Sequence, residues 1–121
     1  MNALVNLTQH ALVEAQKEGF HVVETNGDVR GLLTFNTLPT MTDIMERATA
    51  LAKLAVEAGA IHAVIGGAPY LMGALEDALL AQNIQPLYAF SIRESVETTG
   101  PEGQVVKTSV FKHAGWIEVR R

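Results

Sequence analysis

The stretch AIHAVIGGAPYLMGALEDALLAQNIQPLYAFS, from Ala60 to Ser91, decides the fold. An apolar run ends at Gly66-Gly67, Pro69 opens a segment with helical spacing, Asn83 closes it, and a second apolar run follows Pro86. That order is strand, helix, strand. Two parallel strands need a crossover of this length, and ligands bind at the crevice outside their carboxyl ends. The reading places a candidate site at Gly66-Gly67-Ala68-Pro69 and leaves its ligand open.

Working back from this unit, residues 40–58 read as a helix. Thr42 or Asp43 can cap its first turn, Asp43 and Glu46 have capping-box spacing, and Ile44, Ala48, Leu51, Ala52 and Ala55 mark one apolar stripe. Gly59 is a suitable stop. Nearer the N-terminus, Leu4-Val-Asn-Leu reads as a first strand, Thr8-Gln9-His10 as the turn that ends it, and Glu14 to Lys17 as a short helix stopped at Gly19. Between Gly19 and Pro39 the β-prone Phe20-His-Val-Val and the apolar Leu32-Leu-Thr-Phe flank a turn at Asn26-Gly27-Asp28, as short strands or a partly structured connection.

The helix opened by Pro69 turns Leu71, Leu75, Ala78 and Leu79 inward and leaves Glu76, Asp77 and Gln82 to solvent. Leu87 to Val96 alternates as a strand, with Leu87, Ala89, Ser91, Arg93 and Ser95 on one face. The loop Thr99-Gly-Pro-Glu-Gly103 then leads into Gln104 to Phe111, a hairpin signal. Trp116-Ile-Glu-Val reads as a last short strand, and Arg120-Arg121 as a fraying tail. The whole predicts a single Rossmann-like α/β domain over 1–121, a three-layer sandwich with a mostly parallel sheet and a C-terminal β-hairpin extension.

With 121 residues and 48% hydrophobic content, the chain can bury a substantial core. The absence of cysteine excludes disulfides, thiolate nucleophiles and cysteine-ligated metals. No basic segment leads into a long apolar stretch, so a cytoplasmic protein without a membrane segment is expected. A net charge of -4 argues against general nucleic-acid binding. The charge is uneven: four cations face nine carboxylates through Gln85, and five face four from Pro86 onward. An anionic ligand would therefore draw cationic contacts from the C-terminal third.

The glycine turn can supply amides and a helix N-terminus to a phosphate or carboxylate, or it can be a plain tight turn. It lacks both the dinucleotide fingerprint and the Walker lysine. Thr8, Gln9 and His10 end the first strand at the same sheet edge, where His10 can serve as a general base or bond within the loop. Ser91 and Arg93 continue a run that looks buried, so Arg93 needs an anion or a carboxylate such as Glu97 or Glu118. The expected ligand-binding set is Thr8, Gln9, His10, Gly66, Gly67, Ala68, Ser91 and Arg93, with His10 and His113 as catalytic candidates. His62 reads as a hydrogen-bonded core or strand-entry residue and His21 as a surface strand residue. No histidine pair has metal-binding spacing, and neither a metal nor a cofactor is expected.

Three segments, Leu4-Val-Asn-Leu-Thr-Gln-His10, Ile65-Gly-Gly-Ala-Pro69 and Leu87-Tyr-Ala-Phe-Ser-Ile-Arg-Glu-Ser-Val-Glu97 with the later Val110-Phe-Lys-His113, resemble a group of small uncharacterised bacterial proteins. That resemblance carries no activity. In architecture alone the chain is similar to CRISPR-associated Rossmann-fold sensors and small ring nucleases. Those bind cyclic oligoadenylate at a dimer interface, so the resemblance implies a homodimer. The leading expectation is a binding domain for an anionic small molecule, possibly a nucleotide. A metal-independent hydrolase or phosphodiesterase using His10 or His113 with Arg93, and an assembly module using the hairpin and Trp116, fit the same residues.

Overall fold

The computed structural model describes residues 2–121. The chain runs β1 (Ala3–Leu7), α1 (Glu14–Lys17), β2 (His21–Val23), α2 (Val29–Leu33), α3 (Met41–Glu57), β3 (His62–Ile65), α4 (Pro69–Ala81), β4 (Gln85–Thr99) and β5 (Val105–Glu118). One five-stranded sheet has the order β2-β1-β3-β4-β5. Its first four strands are parallel and β5 runs antiparallel to β4. The mixed α/β chain with a mostly parallel sheet and a C-terminal antiparallel pair is thus observed.

The helix α3 starts where its cap forms. Thr40 Oγ1 accepts from the Asp43 amide at 3.1 Å and Asp43 Oδ2 accepts from the Thr40 amide at 3.0 Å. The capping box is therefore Thr40 with Asp43, three residues earlier than the Asp43–Glu46 spacing suggests. The Thr40 amide holds the Asp43 carboxyl below its ordinary range. Ile44, Ala48, Leu51, Ala52 and Ala55 are all buried, as the stripe requires. In α4 the buried set is Leu71, Met72, Leu75 and Leu79, with Ala78 half-buried.

Between Gly19 and Pro39 the chain forms β2 and then a helix, not a second strand. The Asp28 side chain accepts from the Gly31 amide at 2.9 Å and starts α2. Arg47 of α3 donates to the carbonyls of Gly31, Leu32 and Thr34, satisfying groups a helix end leaves open. Its guanidinium also lies 4.2 Å from the Phe35 ring centroid.

The two faces of the sheet are covered unequally. On one, Val5, Leu7, Ala63 and Ile65 pack with Leu33, α3 and α4 into the main core. On the other, Leu4, Val64 and Leu87 pack with the partly buried Leu12, Phe20 and Trp116. The expected three-layer sandwich is thus complete on one side only. The segment joining β1 to β2 spends its first residues on a turn and forms just four helical residues, none buried.

The hairpin is longer than its sequence suggests. Ladder pairs run from Leu87 with Glu118 to Thr99 with Val105, whereas β3 pairs β4 only over Gln85 to Leu87. The remainder projects past the carboxyl ends of the parallel strands as a two-stranded arm, its side chains exposed along β4 from Phe90. The two β-prone runs after Gln104 are one strand. A shift at Phe90/Ser91 sets Phe90 opposite Gly115 and Ser91 opposite His113, so Ala114 is absorbed as a bulge.

Replacing the fully buried Leu75 by alanine should lower unfolding stability by about 2–5 kcal/mol in denaturant melts. Leu38→Ala, at a residue 94% exposed, should stay within about 0.5 kcal/mol of the parent.

Candidate functional site

The β1 end is organised by a residue the sequence reading overlooked. Asn6 Oδ1 accepts from the Thr8 amide at 3.0 Å and from its hydroxyl at 2.6 Å, while Asn6 Nδ2 donates to the His10 carbonyl at 2.7 Å. This side-chain-centred turn holds residues 8–10 in place. Asn followed two residues later by Thr is the signal that could have revealed it. Gln9 Nε2 then reaches Thr34 Oγ1 at 3.2 Å and ties the turn to α2.

The β3 end is organised by glycine. Gly67 has φ +150°, a conformation costly for a side chain, and Ala68 precedes Pro69 at the start of α4. Ala68 offers no side-chain cap, Pro69 brings no amide hydrogen and the Leu71 amide donates to the Ala68 carbonyl at 3.0 Å, so Tyr70 is the first-turn residue whose amide is left for another partner. A Cβ at Gly66 would stand 3.7 Å from Thr8 Cγ2, which shows how closely the two turns approach.

Both turns line one open cavity of about 530 Å³. Thr8, Gln9, His10, Gly66, Gly67 and Ala68 all contribute, with Leu12, Leu33, Tyr88 and Ala89 as further walls. A second hollow of about 420 Å³ lies beside β2, lined by Asn6, Lys17 and Thr25 among others, and shares Ala11 and Leu12 with the first. The larger cavity lies where β1 leads outward to β2 and β3 leads the opposite way to β4.

Ser91, Arg93 and His113 lie on the arm, outside that lining. The Arg93 guanidinium sits 5.4 Å from the Phe111 ring centroid. Its anticipated carboxylates are engaged elsewhere, Glu97 with Lys107 at 3.7 Å and Glu118 with Arg120 at 2.6 Å. The His113 ring packs 4.8 Å from Trp116. It ends a row in which Trp116 meets Phe20 and Phe20 meets His62. Among the described residues, His62 Nδ1 and His113 Nδ1 are buried without a hydrogen-bond partner, and His62 stands at the entry of β3. Among the described residues, no three His, Asp or Glu side chains cluster to hold a metal ion, and no helix is long and apolar enough to cross a membrane.

A model for the Uncharacterized protein MJ1673 family matches residues 2–117. The chain belongs to that family. No curated protein matches it, and no solved structure does. Membership agrees with the expectation of a small uncharacterised family and names no activity, so the chemistry of this MJ1673-family site rests on its own residues.

Behind the cavity wall, Tyr88 donates to Glu76 Oε2 at 2.5 Å. Arg121 donates to Glu76 Oε1 at 2.8 Å and to Asp77 Oδ1 at 3.0 Å. The tail is thereby pinned, not frayed, and Glu76 is largely covered instead of solvated. Burial, and then the Glu76 carboxylate, push the Tyr88 phenol above its ordinary range. The folded state therefore holds that proton where the unfolded chain releases it, and stability falls as pH rises above about 10. Tyr88→Phe should remove this part of the alkaline loss, read as a flatter dependence of the unfolding midpoint on pH between about 9 and 11.

Proposed function

We propose that this chain is a binding domain for a small phosphate- or carboxylate-bearing molecule, held in the crevice between the ends of β1 and β3. The observation that carries this reading is the convergence of Thr8 to His10 with Gly66 to Ala68 around one cavity. Its volume of about 530 Å³ lies within the ordinary range for small-molecule pockets, large enough to consider a nucleotide.

Several features support an anion. The N-terminus of the 13-residue α4 opens at this turn without a side-chain cap, and such a terminus presents about half a positive charge, with the Tyr70 amide beside the backbone of the glycine turn as its donor. The Gln9 side-chain amide and the His10 imidazole add polar groups at the rim, while the Thr8 hydroxyl gives its one proton to Asn6 and serves to hold the turn. The strand order is that of doubly wound sheets whose switch point lies between the first and third strands, here with the last strand reversed. In that sense we read the fold as Rossmann-like. In this reading backbone dipoles and neutral donors carry most of the affinity, with Ser91 and Arg93 at most remote contacts from the base of the arm.

Isothermal titration of the full chain with phosphate, pyrophosphate and a nucleoside monophosphate should give saturable binding. Gly66 tolerates a side chain, because its backbone lies outside the positive-φ range and its Cβ would meet only Thr8. Gly66→Asp should therefore weaken anion binding at least about tenfold by charge repulsion while leaving the melting temperature near the parent's. Gly66→Ala should fold equally well. Absence of anion binding, or a Gly66→Asp variant that binds as the parent does, would refute the proposal.

A further inference from the structure

The arm is a structural problem that one chain does not solve. Among the described residues, nothing pairs beyond Leu87 with the edge of β4 that faced β3, so the arm is a two-stranded ribbon. Such a ribbon is marginal in water, and three or more strands are needed for independent stability. Phe90, Ile92 and Val96 lie exposed on one of its faces. The unpaired edge presents the amides and carbonyls that recruit another strand.

The charges along the arm identify that strand. From Val105 to His113 the outer strand β5 carries Lys107, Lys112 and His113 and no carboxylate, so pairing two copies through β5 concentrates like charge. The inner strand β4 carries Arg93, Glu94 and Glu97. A two-fold axis normal to the sheet preserves faces, so it must pass through a residue position and pair residues of equal parity. Centred on Arg93, Glu94 or Glu97, that pairing sets a charge against itself. Centred on Ser95, it sets Arg93 opposite the second copy's Glu97, and Glu97 opposite the second copy's Arg93.

We infer that two copies of this chain associate through the free edges of β4, antiparallel about Ser95, to form a four-stranded ribbon ordered β5-β4-β4-β5. In this register each arm contributes a cross-strand row already half built within the chain. Phe111 lies beside Arg93, with the guanidinium 5.4 Å from its ring centroid, and Glu97 pairs with Lys107 at 3.7 Å. Joining the edges makes the row Phe111, Arg93, Glu97, Lys107, the last two from the second copy, so opposite charges alternate across it. Glu94 falls opposite Val96 and Ser95 opposite itself, which leaves no like charges facing across the new edge. Residues 91–99 of each copy overlap, enough for about nine inter-strand hydrogen bonds. The contact is closed and self-complementary, so it stops at two chains.

The chain has no cysteine, so a single introduced thiol reports the register directly. Across the axis, opposed Cα atoms stand about 4.5–5.5 Å apart, within the span a disulfide bridges. Ser95→Cys should cross-link into a covalent dimer under mild oxidation. Ser109→Cys, its neighbour on β5, should not, because three strand spacings of about 4.8 Å separate it from its copy.

By sedimentation at about 100 µM the parent should be a dimer, a concentration at which a micromolar complex is mostly formed. Arg93→Glu should raise the dissociation constant at least about tenfold, and Glu97→Arg likewise, since each replaces two opposite pairs with like ones. Mixed in equal amounts, the two variants should form a heterodimer, because both cross-chain pairs are again opposite in sign. A monomeric parent, an Arg93→Glu chain that dimerises as the parent does, or cross-linking through Ser109→Cys in place of Ser95→Cys would each overturn the inference.

Discussion

The parallel pairing of β1 with β3 is the constraint on which the site depends. Leu4 pairs with His62, Val5 with Ala63, Asn6 with Val64 and Leu7 with Ile65. This register ends the two strands level, so Thr8 and Gly66 leave the sheet side by side. A slip of one residue would turn Val5 and Leu7 away from the helices and Leu4 toward them. The main core opposes that slip, because Val5, Leu7, Ala63 and Ile65 are all packed against α3 and α4. Strand pairing, helix packing and the position of the crevice are thus one consequence of the same alignment.

The uneven covering of the sheet shapes what surrounds that crevice. The helices α3 and α4 seal one face, while the other relies on Leu12, Phe20 and Trp116 over Leu4, Val64 and Leu87. The short link from β1 to β2 leaves the cavity open beside Leu12 and Gln16. Because β3 ends at Ile65 while β4 runs to Thr99, the longer strand leaves the sheet at the edge where the cavity opens. The same difference in strand length forms one wall of the cavity through Tyr88 and Ala89 and leaves the arm with an unpaired edge.

The parts legible in the sequence were those set by local periodicity. The stripe from Ile44 to Ala55, the strand, helix, strand unit and the meeting of Thr8 to His10 with Gly66 to Ala68 follow from spacing and from how parallel sheets connect. Competing local signals blurred the details. Thr40, Thr42 and Asp43 are all able caps, and Ala114-Gly115 reads as a strand break until the opposite strand shows it to be a bulge. Tertiary geometry fixed the rest. Alternation assigns Ser91 and Arg93 to a face, but only the early end of β3 shows that this part of the strand has left the cavity behind. The bonds of Arg121 to Glu76 and Asp77 link distant parts of the chain and leave no local trace.

The proposed anion recognition lies at the joined ends of β1 and β3, and the backbone amides there report it most directly. In an amide-resolved NMR titration with pyrophosphate, saturable shifts are expected at Gly66, Gly67 and Ala68 and at Thr8 to His10, with the arm unmoved. Shifts confined to Arg93, Lys107 and Lys112, with the glycine turn silent at saturation, would contradict it.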